Sequence, residues 1–302
     1  MIPFSERASE MGLDISLAHK GLYSYADIYS EVVYRQLSTQ PANTDDPNQH
    51  PTDDLLVPKL AIYTRQPDGA DYNYAGYVSD LYKFMGNNVL IQRIRDGISS
   101  AGIPIMTENN IMDYFLTRMR HEIVVQSSQN VSNVGDILPV MIIHNSYNGT
   151  KAATISFGLA LNYNRDRVTF GFNLGELRQI HIESSTTSMA SAVNSYMGVF
   201  TENIADMITQ SFNSTLSEDD MLATLDVIEG FGKKRREAVS ALLSEMIPES
   251  GLPSAWHIFL AIVRYSSFEP NLNMKRLMEN AAESVLVIPA RMYDVLEQLQ
   301  TS

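Results

Sequence analysis

The stretch MIIHNSYNGTKAATISFGLALNY, residues 141–163, decides how this chain reads. Two apolar runs flank the segment NSYNGT at 145–150. The Asn148-Gly149 pair at its centre is a strong signal for a β-hairpin, because both central residues of a type I′ turn need positive φ. Around that turn stand a hydroxyl, a ring and an ammonium, on Ser146, Tyr147 and Lys151. The turn itself reads as structural, and these three neighbours read as candidates for contact with a ligand.

On either side the pattern extends to a meander, with strands expected over 137–145, 151–163 and 167–172. A long helical pattern follows over 187–212, with Met189, Val193, Phe200, Ile204, Met207 and Ile208 on one broad face. Upstream, helical spacing predicts helices over 24–37, 88–101 and 109–121, with strands at LAIYTR and HEIVVQ. A tyrosine-rich patch carries Tyr72, Tyr74, Tyr77 and Tyr82. Ser217 and Asp220 resemble a capping box, and Pro289 fits the first turn of a last helix. The expected fold is α+β: a central antiparallel β meander with flanking helices and a mostly helical C-terminal half. Three stretches are expected: an N-terminal helical segment with an acidic, proline-rich loop (1–54), an α+β core (55–185), and a helical region (186–302) that forms one compact domain with that core.

The apolar content of 44% and charged content of 19% are those of a folded chain of 302 residues. No cysteine is present, which removes disulfides and thiolate chemistry and suits a reducing cytosol. The N-terminus lacks the basic and apolar regions of a signal peptide, and no apolar run reaches the ~18 residues of a membrane span. A soluble, cytoplasmic protein without membrane contact is expected. The net charge of −13 argues against a broadly basic nucleic-acid coat, but not against a local basic groove, since each charge reaches only about 8 Å at physiological salt. Between 141 and 179 the balance reverses: Lys151, Arg165, Arg167 and Arg178 face only Asp166 and Glu176.

The six histidines, His19, His50, His121, His144, His181 and His257, fall in no metal-binding frame. No nucleophile elbow, phosphate loop or dinucleotide fingerprint occurs, and paired carboxylates are placed in loops and helix starts. Catalysis, cofactors and metals are therefore not expected. A more specific feature is LDVIEGFGKKRREAV, residues 225–239. Gly230 and Gly232 allow a tight turn that exposes backbone N–H groups at a helix start, where a phosphate can sit. Lys233, Lys234, Arg235 and Arg236 follow, four cations that oppose the helix dipole unless an anion compensates. In NYNRDRVTFGFN, Tyr163, Arg165 and Arg167 alternate ring and cation as single-strand binders do, while Phe170 and Phe172 are expected to face the core. Tyr147 and Tyr163 are the candidate stacking rings. Nothing resembles a recognition helix for the major groove, so single strands are expected over duplex.

Two segments carry a family resemblance. HNSYNGTKAATISFGL resembles the Asn-Ser-x-x-Gly-Ser/Thr hairpin of a family of phage and plasmid proteins, in which a further strand, a long helix and later a tryptophan-bearing helix follow. PSAWHIFLAIVRYSSF is similar to that later helix at Trp256, Ala261, Arg264 and Tyr265, and departs from it at His257 and Leu260. The Cys-Ser-Asn-Gly segment usual after the hairpin is replaced by NYNRDR. Size, acidic charge and element order resemble the Drc-type single-stranded-DNA-binding RNA polymerase cofactors of podoviruses. The match to the phage and plasmid family spans 55–284, and the resemblance to the Drc-type cofactors implies binding of single-stranded DNA, recruitment of a phage RNA polymerase, assembly into a homo-oligomer, and action in the cytoplasm of an infected bacterial host. The competing class is a phage structural or host-protein-interaction protein using its acidic face and the methionine-rich helix 187–212.

Overall fold

The computed structural model describes residues 31–39, 55–65, 72–79, 87–112, 118–146, 153–163, 166–172, 177–178, 186–217, 219–220, 223, 225, 232–247, 251–269 and 271–288. The segment before Glu31, the acidic loop, Tyr82, the Asn148-Gly149 turn and Pro289 lie outside these residues. Strands β1 (Glu31–Thr39), β2 (Leu55–Arg65) and β3 (Tyr72–Ser79) form an antiparallel sheet in the order β1-β2-β3. The larger sheet is built from β4 (Ile105–Met112), β5 (Arg118–Val125), β6 (Gln129–Val131), β7 (Gly135–Ser146), β8 (Thr154–Tyr163), β9 (Asp166–Gly171) and β10 (Leu177–Arg178). Its order is β10-β8-β7-β5-β4, with β6 also on β7 and β9 also on β8. Helices α1 (Asn87–Ser100), α2 (Thr186–Asn213), α3 (Lys233–Met246), α4 (Ala255–Ser267) and α5 (Leu272–Val285) complete the described elements. The fold is α+β, with the helices concentrated in the C-terminal half.

The hairpin expected around the Asn148-Gly149 turn is β7–β8, paired from Ile137↔Leu161 to His144↔Thr154. Strand alternation then sorts the sheet into two faces. Ile137, Met141 and Ile143 of β7 join Ile155, Phe157, Leu159 and Leu161 of β8 in the main core. Helix α1 covers that face with Leu90, Ile91, Ile94 and Ile98, and α2 adds Val193, Phe200, Ile204, Met207 and Ile208. Phe170 and Phe172 are buried there as expected, and Phe170 meets Phe259 of α4 edge-on at 4.7 Å. Trp256 stacks on Phe259 at 4.9 Å. One core thus runs from Leu90 to Leu286. The methionine-rich face of α2 is interior at Met207, with Met197 packed against the same core.

The other face carries a small cluster, Val124, Leu138, Val140, Ile142 and Ala160. Here the sheet curls, because small residues let its strands close up. A Cβ on Gly171 would lie 3.1 Å from Ile142 Cδ1, and one on Gly158 would lie 1.8 Å from the Phe170 carbonyl oxygen. The curl lets Glu122 of β5 hydrogen-bond Thr169 of β9, on the far side of β7 and β8.

Two expected helices are strands instead. The 24–37 pattern contains β1 from Glu31 onward, paired along β2 from Glu31↔Arg65 to Thr39↔Leu55. Val32, Val33, Tyr34 and Thr39 are β-branched or aromatic, and a paired ladder outweighs a local helical period. The 109–121 pattern is divided between β4 and β5, which pair from Ile105↔Val125 to Met112↔Met119. Ile111, Phe115 and Met119 recur at four-residue spacing and imitate a helix, but β5 also pairs with β7, and that buried strand decides the outcome.

Candidate nucleic-acid interface

Reading β5 with period two puts Arg118, Arg120 and Glu122 on the curled face, opposite Met119, His121 and Ile123. Arg120 is buried, and its guanidinium is tied on two sides. Nε donates to Glu122 Oε1 at 2.6 Å, while Nη1 and Nη2 fork onto the Glu279 carboxylate of α5 at 2.7 and 2.6 Å. Asn109 Nδ2 donates to Glu122 Oε2 at 3.3 Å, and Lys275 is buried beside the group. Two cations and two carboxylates balance formally. Burial alone would raise the Glu122 pKa, but the charges of Arg120 and Lys275 and the Thr169 hydrogen bond hold it at about 2. Burial would lower that of Arg120, and the two carboxylates more than reverse it. For Lys275 burial prevails, with the Arg120 charge adding to it, and its pKa falls. Paired carboxylates are therefore not confined to loops and helix starts, as the sequence led us to expect: this pair lies on a strand and a helix interior. The network fixes α5 to β5 and so positions what lies one turn away.

That neighbour is a small cleft, open to solvent, where β5 begins, β7 ends and α5 begins. Its polar lining is Arg118, His144, Asn145, Ser146, Asn273 and Arg276, with Met119 and Leu272 as apolar walls. No carboxylate is among the described residues that line it. Arg118 faces Ser146 in register, and Met119 faces Asn145. Next to His144 in the ladder stands Thr154, whose buried hydroxyl has no hydrogen-bond partner among the described residues. Asn145 Nδ2 donates to Asn87 Oδ1, and the two guanidiniums, the imidazole, the Asn273 amide and the hydroxyl are donor types of a phosphate site, since arginine forks match phosphate oxygens.

The basic turn of α3 is linked to the helix start that lines this cleft. Gly232 is the N-cap of α3 in extended conformation (φ −68°, ψ 162°), and its carbonyl accepts from the Arg235 and Arg236 N–H groups at 2.9 and 3.2 Å. Lys233 and Lys234 are exposed, and Lys233 stands 3.9 Å from Glu237. Arg235 Nη2 lies 3.6 Å from Glu269 Oε2. The other oxygen of Glu269 accepts the Asn271 N–H at 3.2 Å, and Asn271 caps α5 by accepting from Asn273 and Met274. One carboxylate therefore links the α3 turn to the very helix start that lines the cleft. Part of the charge at the turn is compensated within the chain, by Glu237 and Glu269.

Of the sequence candidates, Lys233, Lys234, Arg235, Arg236 and Gly232 fall together at this end of the molecule. Arg178 belongs here by register, since it pairs with Thr154, which pairs with His144. Arg167 is exposed and does not belong: it pairs with Asn162, eight positions along β8 from Thr154, or about 26 Å of extended strand. Tyr163 pairs with Asp166 at that same distant end. Tyr147, Lys151, Arg165 and Gly230 lie outside the described residues. Sequence reasoning missed Arg118, His144 and Arg276. The usable signal is the alternation in RMRHEIVV, which the overlapping helical period of 109–121 masks.

The segment that resembled the tryptophan-bearing helix is α4 with its cap. His257, which departs from the family pattern, has a local role: its Nδ1 accepts the Ser254 N–H at 3.2 Å, closing a capping box. Burial lowers its pKa, which favours the neutral ring that this acceptor role needs. Among the described residues no helix is long and apolar enough to cross a membrane. Comparison with protein-family models, curated proteins and solved structures finds no match to this chain.

Proposed function

We propose that this chain is a non-enzymatic single-stranded-DNA-binding protein of a phage, acting as a cofactor that recruits a phage RNA polymerase or in replication. The observation that carries the reading is the cleft of Arg118, His144 and Arg276, with no carboxylate among its described lining residues and a tie to the α3 turn through Glu269, in a protein of net charge −13. Phosphates of a strand would be held by Lys233, Lys234 and Arg236 and by the cleft arginines, with Arg178 and Lys151 as further contacts. Such binding is electrostatic and releases counterions, so it weakens steeply with salt. The family resemblance supplies the polymerase partner, the homo-oligomer and the infected-cell setting. The interaction-protein reading gains nothing from Met207, which α2 turns into the core, or from Met197, which packs against it.

The test is binding of a fluorescent single-stranded oligonucleotide and its duplex across a salt series, with a magnesium incubation alongside. Salt-sensitive binding of the single strand, weaker binding of the duplex and an intact oligonucleotide are expected. No binding near physiological salt would remove the reading, and cleavage would remove its non-enzymatic part.

A further inference from the structure

Among the described residues five large apolar side chains are exposed: Val89, Met106, Leu252, Phe268 and Val287. Phe268 is the only ring in that set and the most exposed, at 69%. It caps the C-terminus of α4 in a helical conformation, and its N–H donates to the Tyr265 carbonyl at 3.2 Å, so its backbone is anchored. The ring has no aromatic partner among the described residues. The residue after it, Glu269, holds Arg235 of the α3 turn on one oxygen and the start of α5 on the other. This exposed ring therefore belongs to the residue directly before the one that links the basic turn to the cleft helix, with exposed Ser267 before it and the acidic Glu269 after it. An apolar protein surface prefers a contiguous apolar patch. A flat apolar group carried on an anionic chain is what a ring between cations suits, and an unpaired nucleobase has that chemistry.

We infer that Phe268 is a stacking platform for an unpaired base, placed between a phosphate at the α3 turn and another in the cleft. This rests on the single-strand reading above. It adds a residue that the sequence did not nominate, and it makes binding depend on a π-face as well as on charge. Base–aromatic stacking tolerates any base, so little sequence preference is expected from this contact.

The test uses the full chain with Phe268→Ala, Phe268→Leu and Phe268→Trp, titrated with an oligothymidylate at low salt. The native tryptophan, Trp256, is buried at 2% exposure, so a tryptophan at 268 adds a distinct, solvent-exposed emission. Phe268→Ala is expected to bind about 5- to 100-fold more weakly, the range for removing one stacked base, with Phe268→Leu close to it. Phe268→Trp is expected to keep wild-type affinity and to be quenched on binding. Because the ring is exposed, all three variants should melt at the wild-type temperature. If wild type binds while Phe268→Ala binds within twofold of it and the new tryptophan is not quenched, the platform is refuted and the single-strand reading stands. If wild type does not bind at all, the reading itself falls, and the platform with it.

Discussion

Arg120 shows how much depends on single side chains at this end of the molecule. Its guanidinium is held by Glu122 on its own strand and by Glu279 on α5, all three buried. Removing one partner leaves a buried charge uncompensated, which typically costs about 3–5 kcal/mol. Glu279→Ala should therefore lower unfolding free energy by that amount in a denaturant titration. A decrease below about 1 kcal/mol would show that the network does not fix α5. Glu122 of this network and Glu108 of β4 set an acid limit. Glu122 and Glu108 are both held at about 2 against an ordinary 4.5. For Glu108, burial works the other way and is outweighed by hydrogen bonds from His121 Nε2 at 2.8 Å and Arg95 Nη2 at 2.6 Å. A carboxylate depressed in the folded state contributes stability above its unfolded pKa and loses it as pH falls through the folded one. The two carboxylates should thus make the melting temperature fall steadily as pH drops from 4.5 toward 2. A melting temperature that stayed level down to pH 3 would contradict this.

At the level of elements, the curled sheet rests on close strand approach at Gly158. A methyl there would stand 1.8 Å from the Phe170 carbonyl oxygen and 2.7 Å from Gly171 Cα, both backbone atoms that cannot step aside. Gly158→Ala should force β8 and β9 apart and cost at least about 2–3 kcal/mol, read from the denaturation midpoint. Near-wild-type stability would mean that the sheet is less tightly curled than described. The β7–β8 hairpin and α2 were legible because each carries one clear period over a long run. The β4–β5 hairpin was not: Ile111, Phe115 and Met119 fit a helix, and the strand period appears only once β7 supplies the partner. The curl was also invisible, since a glycine in a strand reads as a weakness until the carbonyl it admits is known. His257 looked like a degraded motif position and proves to be a helix cap.

Across the whole molecule, the proposed interface joins pieces far apart in the chain. Arg118, His144 and Arg276 come from two strands and a helix, and Glu269 brings the α3 turn to them. The Lys233–Arg236 run was legible from composition alone, because four successive cations at a helix start stand out in an acidic chain. The cleft was not, because it exists only once β5, β7 and α5 are docked. The same assembly sets Arg167 apart, although it shares a short basic stretch of sequence with Arg178. These assignments converge on the salt dependence of single-strand affinity. Removing a cation that neutralises one phosphate lowers the log–log salt slope by about 0.7 for a single strand. The decisive measurement compares that slope in wild type, Lys233→Gln/Lys234→Gln, Arg276→Gln and Arg167→Gln. The expected result is a slope lower by about 1.4 in the double variant and about 0.7 in Arg276→Gln, with Arg167→Gln unchanged. A wild-type slope near zero, or a slope lowered only by Arg167→Gln, would contradict the account.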